Sequence, residues 1–172
     1  MKGRAILLIP ILVVLSATLC ADQKPKLAFH NFTALEVENF DIPKYETKDP
    51  MPESWLPLIR EDVVQRAIEL HLFSRVADFK DPGVPAPASE RVLVLRGKVT
   101  EFTHGSQAAR VIVGFGAGKG KIVVLCEFVD KATGEVIWQR QADGRVIGVG
   151  QSTEGAVKGL SKEIAKHIRD NW

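Results

Sequence analysis

From Leu35 to Ile42 (LEVENFDI) apolar and polar residues alternate, the period of a strand with one buried face, and Pro43 stops it. After a polar, proline-bounded loop over 43–52 the period becomes helical. Leu56, Ile59, Val63, Ala67 and Leu70 fall on one side, while Arg60, Glu61, Gln65, Arg66 and Glu69 fall mostly on the other. Ser54 is placed to cap this helix, and Pro57 stands in its first turn, where a missing N–H costs little. His71 ends the helix, and the chain turns toward a short strand near Val76. Asp81 to Ser89 (DPGVPAPAS) holds three prolines and a glycine, which predicts a surface loop without regular structure.

The second half reads as strands. Arg91 to Thr103 is a long candidate whose polar residues increase toward its end. Lys121 to Asp130 (KIVVLCEFVD) is apolar on both sides, which predicts a central strand covered on each face. Asp130 to Glu135 (DKATGE) supplies turn chemistry, and Val136 to Gln141 alternates again, so the two segments form a hairpin. A glycine-punctuated piece over Arg145 to Gly150 follows. Ser152 or Thr153 then caps a last helix with Val157, Leu160, Ile164, Ile168 and Trp172 on one face. The order β-α-β-β-β-β-α predicts an α/β or α+β fold, with two amphipathic helices on a mixed sheet.

The first 21 residues stand apart from this pattern. Lys2 and Arg4 precede an uncharged apolar run from Ala5 to Leu19, too short to span a bilayer and typical of a secretory signal peptide. Residues 22–172 are therefore expected to form a single exported domain. Cleavage before Asp22 or before Thr18 both fit. A lipobox wants a small residue before its cysteine, and Leu19 precedes Cys20; simple secretion is the first reading and lipidation at Cys20 the second. The chain carries 23 Lys+Arg against 21 Asp+Glu, and the leader holds Lys2 and Arg4 without an acid. The remainder is neutral, which gives no support for nucleic-acid binding. One cleavage site would discard Cys20; the other would leave a Cys20–Cys126 disulfide open.

The segment Gly105 to Gly120 (GSQAARVIVGFGAGKG) is the most unusual in the chain. It lacks the spacing of a phosphate loop, and a strand rather than a helix follows it. Three readings remain: a flexible connection, close backbone packing, or a segment inserting into a membrane or partner, since Ala108 to Ala117 carries only Arg110 as charge. His30, His71, His104 and His167 show no metal-ligand spacing, and His167 suits the C-terminal end of the last helix. Cys126 reads as a buried, inert thiol, and Trp55, Trp138 and Trp172 as core or core-edge packing. Glu101, Glu127 and Asp130 read as solvated or salt-bridged charge. No cofactor is expected.

Arg110, Val111, Ile112, Val113, Gly114, Phe115, Gly116, Ala117 and Gly118, the valine-rich strand after them, and Asp130-Lys131-Ala132-Thr133-Gly134-Glu135-Val136 together resemble the domain of unknown function 4410 family (DUF4410). Its members are bacterial exported proteins, often taken for lipoproteins. The likeness covers most of the mature chain and is strongest from Arg91 to Trp172; Leu19 before Cys20 departs from the lipoprotein pattern. The order of elements also resembles, more distantly, the α/β domain of curli-type secretion lipoproteins. The family implies no catalytic residues. The expectation is a non-enzymatic envelope protein acting through contacts with an envelope protein or with itself, Arg110 to Gly118 being the contact segment. Membrane association would come through lipidation or this segment. The alternative is a small-ligand-binding or hydrolytic domain with a pocket between the helices and the glycine-rich loop, lined by several of Glu101, His104, Arg110 and Glu127.

Overall fold

The structure, a computed structural model, describes residues 28–43, 51–78, 87, 89–103, 120–145 and 153–172. In chain order these form β1 (Ala34–Asp41), α1 (Trp55–Glu69), β2 (Arg75–Asp78), β3 (Val92–Thr103), β4 (Lys121–Asp130), β5 (Val136–Arg145) and α2 (Thr153–Asp170). The strands make one mixed sheet in the order β2-β1-β3-β4-β5, with β1 parallel to β2 and to β3, and with antiparallel β3–β4 and β4–β5 pairs. The β-α-β start and the meander that follows agree with the α+β order read from the pattern.

Both helices lie on one face of this sheet. A single buried cluster joins Leu35, Val37 and Phe40 of β1, Leu93 and Leu95 of β3, and Ile122, Val124, Cys126 and Phe128 of β4 to residues of both helices. From α1 come Ile59, Val63 and Ala67; from α2 come Val157, Leu160, Ile164 and Ile168. Removing large apolar side chains of this kind from water stabilises the fold by about 1.5–3 kcal/mol each. Phe29 closes one end of the core against Phe128, 4.7 Å between ring centroids, and its N–H donates to the carbonyl of Asn171 at 2.9 Å. The start and end of the described chain are thereby tied together.

The opposite face corrects the expectation that β4 is covered on both sides: no described helix packs there. Ala34, Val92, Val94 and Val129 form a separate small cluster on it. Long charged side chains shield it in pairs, Glu36 with Lys131, and Glu38 with Arg96 at 2.9 Å. Small β-branched residues between such pairs reach burial without a second layer, which is why β4 looks two-sided in sequence.

Two glycines set how closely the layers approach. A Cβ on Gly144 would stand 2.8 Å from Leu160 Cβ and would overlap the carbonyl oxygen of Ala156, so α2 rests directly on the backbone of β5. This extends β5 to Arg145, four residues past the predicted end at Gln141. A Cβ on Gly97 would overlap the edge of the Phe40 ring, which covers the glycine from the neighbouring strand.

The helix starts differ from expectation at Ser54. Its side chain makes no cap hydrogen bond; the N–H groups of Trp55 and Leu56 instead donate to the carbonyls of Pro52 and Glu53 at 3.0 and 3.1 Å. A backbone turn leading into the helix satisfies donors that a capping side chain would otherwise meet. At the other end His71 takes φ 52°, the left-handed conformation that commonly follows a helix C-cap.

Candidate functional site

The ends of the strands define one edge of the molecule. The C-terminal ends of parallel β1, β2 and β3, the start of β4 and the end of β5 all lie on it, since Thr103 pairs with Lys121 and Lys121 with Arg145. In sheets with parallel strands this end is where ligands and partners usually bind. The chain leaves β3 and enters β4 here, so the glycine-rich connection is anchored at this end. Its base is fixed by the Lys121 N–H donating to Thr103 Oγ1 at 3.1 Å and by Lys121 Nζ, 2.8 Å from Glu101 Oε2. Trp55 at the start of α1 meets Phe102 edge-on, with ring centroids 5.3 Å apart.

Behind this end lies a buried cation. Arg60 of α1 is 1% exposed; its Nε stands 2.8 Å from Asp78 Oδ1 at the end of β2, and its Nη1 donates to Asn39 Oδ1 of β1. The pattern had placed Arg60 on the polar side of the helix, and the structure reverses this. Leu56, Arg60, Val63 and Ala67 follow the i, i+4, i+7, i+11 spacing of one stripe, so the signal was in the sequence. Among the described residues Nη2 reaches only Glu61, at 3.9 Å, and it is closed off from solvent. The cluster locks α1 onto the ends of β1 and β2.

Of the residues expected to carry function, Cys20 and the segment Arg110, Val111, Ile112, Val113, Gly114, Phe115, Gly116, Ala117 and Gly118 lie outside the described residues, as do His104 and residues 1–27. Glu101 and Glu127 are not brought together. Glu101 pairs with Lys121, and Glu127, four positions further along β4 by register, accepts from Gln139 Nε2 at 3.3 Å. Asp130 belongs to the hairpin instead. Arg91 Nη2 reaches its Oδ2 at 2.7 Å and the N–H of Ala132 its Oδ1 at 2.9 Å, and together they hold its carboxyl below the usual range. Gly134, at φ 73°, donates its N–H to the Asp130 carbonyl at 2.8 Å, and the Glu135 N–H reaches Thr133 Oγ1 at 3.2 Å. The D-x-x-T-G-E sequence is therefore accounted for by the turn it makes.

The remaining candidates are structural. Cys126 is buried on the helix-facing side of β4, and burial pushes its thiol up to about 12, far from a nucleophilic thiolate. Trp55, Trp138 and Trp172 are half-buried at separate places, against Phe102, Phe128 and Phe73 respectively. His167 is buried rather than exposed at the helix end. Its Nε2–H donates to the Gln141 carbonyl at 3.3 Å, and burial lowers its pKa, a cost that Glu163 partly offsets. Among the described residues no group of three or more His, Cys, Asp or Glu could hold a metal ion, and no helix is long and apolar enough to cross a membrane.

The model of the domain of unknown function DUF4410 matches residues 30–159, three quarters of the sequence. The chain belongs to the DUF4410 family. No curated protein matches it. Among solved structures, this DUF4410 chain is similar to the PelC dodecamer from Paraburkholderia phytofirmans, with a TM-score of 0.51 and 20% identity over 86% of this chain and 90% of that one. A Xanthomonas campestris protein of the DUF330 family gives a TM-score of 0.51 with 10% identity over 80% and 81% of the two chains. Lipoprotein GNA1162 from Neisseria meningitidis gives 0.44 with 16% identity over 80% and 98%. At these identities the first two likenesses show the fold alone.

Proposed function

We propose that the chain is a non-enzymatic exported protein of the cell envelope that works through protein contacts, with copies of itself or with an envelope partner. The observation that carries the proposal is the edge strand β5. It runs for ten residues, Val136 to Arg145, and among the described residues only β4 pairs with it. The free side of such a strand offers a row of backbone donors and acceptors for pairing with another chain, and Val136 stands 48% exposed at its start. The PelC dodecamer shares this fold along nearly its whole length, which supports repetition of the same domain as a working arrangement.

In this reading Arg110 to Gly118 forms part of the contact surface, presented by the paired ends of β3 and β4, and residues 1–21 direct export. Deleting Ala108 to Gly118 is expected to reduce oligomer size or membrane association while the sheet still folds. A deletion that leaves both unchanged removes the segment from the proposal. The intact mass of the protein from its host's envelope fraction decides between an unmodified start at Asp22 or Thr18 and a lipidated Cys20; a retained leader would contradict export.

A further inference from the structure

Cations are gathered on the outer side of α2. Lys158, Lys162, Lys166 and Arg169 follow one another at helical spacing and all are exposed. The acids beside them compensate only part of this charge: Glu163 Oε1 lies 3.8 Å from Lys166 Nζ, and Asp170 Oδ1 lies 3.2 Å from Arg169 Nη2. Among the described residues Lys158 and Lys162 have no ion-pair partner. His167, held toward its neutral form by burial, adds no charge. Because the chain after the leader has as many acids as bases, this ridge is a local concentration rather than part of a basic protein.

The ridge borders an apolar depression of about 230 Å³ where the end of α1 meets α2. Leu70, Gly159 and Ala165 supply its apolar lining, and Lys162, Lys166 and Arg169 stand around it with one acid, Glu163, among them. Cations around an apolar lining match the chemistry of an anionic phospholipid surface, with phosphates above hydrocarbon. A purely acidic protein partner would leave the apolar part of the depression without a role.

We propose that the α2 ridge rests on an anionic phospholipid surface, with the depression beside it receiving apolar parts of the lipid. The contact needs only a membrane within reach, and oligomeric state does not enter it. Near an anionic surface each lysine is worth about fivefold in partitioning, so losing three should cost roughly a hundredfold.

The test uses the protein as its host matures it, beside a Lys158→Gln, Lys162→Gln, Lys166→Gln triple variant made in the same way. Gln keeps the helix propensity of Lys, and the three side chains are exposed, so the fold should survive; unchanged thermal unfolding checks this. Each is floated with vesicles of phosphatidylethanolamine and phosphatidylglycerol, and with phosphatidylcholine alone. A lipid anchor would favour both kinds equally, so the anionic-to-zwitterionic ratio is the readout. Expected is an anionic preference that salt erases, that inorganic phosphate at equal ionic strength does not reduce further, and that falls roughly a hundredfold in the variant. Equal partitioning of the unaltered protein, or a preference that the variant keeps, overturns the proposal. Selective loss on adding inorganic phosphate would overturn it in favour of a free-anion site. A native mass showing only monomer would count against self-association and leave this contact untouched.

Discussion

The guanidinium of Arg60 and the carboxylate of Asp78 meet at 2.8 Å although Arg60 is 1% exposed and Asp78 only 21%. The pair joins the second turn of α1 to the last residue of β2, and through Asn39 it reaches β1 as well. Three elements separate in sequence are held at one point. Desolvating a guanidinium costs several kcal/mol, which the carboxylate and the amide oxygen must offset.

Removing the acid should therefore hurt more than removing the base. Asp78→Ala leaves the Arg60 charge buried with only neutral or distant partners, and should destabilise by about 3–5 kcal/mol. Arg60→Met fills similar space without charge and leaves an acid that reaches solvent, so it should cost less. Urea unfolding of the two variants checks the order, and a larger loss in Arg60→Met would contradict it.

Gly144 and Gly97 should be intolerant for different reasons. Gly144→Ala drives a methyl against the backbone of α2, which cannot yield without moving the helix; a loss of about 1–3 kcal/mol or more is expected. Gly97→Ala meets the ring of Phe40 instead. Replacing Phe40 by Leu should recover part of the Gly97→Ala loss and none of the Gly144→Ala loss. Unfolding midpoints of the two single and two double variants decide this.

Stability should depend on pH through His167. Burial lowers its pKa in the folded state, so between the ordinary value of 6.5 and that lower value the unfolded chain binds more protons. The fold should be at full strength above about pH 6.5 and should weaken as pH falls through that window. In His167→Gln the slope across it should flatten. Asp130 acts in a separate, more acidic range. Held below 3.8 by Arg91, its contribution is present above 3.8 and is lost as pH falls through its lower folded value. Thermal unfolding across the two ranges separates the contributions.

Much of the fold was legible in single residues. The run Lys121 to Asp130 is the strand β4 to the residue, because its β-branched residues and flanking turn signals agree. In LEVENFDI the apolar step from Val37 to Phe40 is three residues rather than two, and there the β1–β3 register shifts. What escaped involves tertiary contact. Arg60 lies in an apolar stripe, but only the meeting of Asn39 and Asp78 makes burial there tolerable. Gly144 lies past the strand end expected at Gln141, and only α2 laid over it accounts for a glycine there. The site was less legible: the turn residues Asp130 to Glu135 explain their own motif, while Glu101 of β3 pairs with Val123 and leaves Glu127 four positions further along β4.

The central claim is that this domain works by associating with other chains, and the native mass of the purified protein at micromolar concentration tests it most directly. A single chain of 172 residues has a mass of 18.9 kDa. The account predicts one discrete species at a multiple of the mature chain's mass, or a complex with an envelope partner that copurifies, as expected for a closed assembly. Monomer alone across the accessible concentration range, with no partner retained, would contradict it.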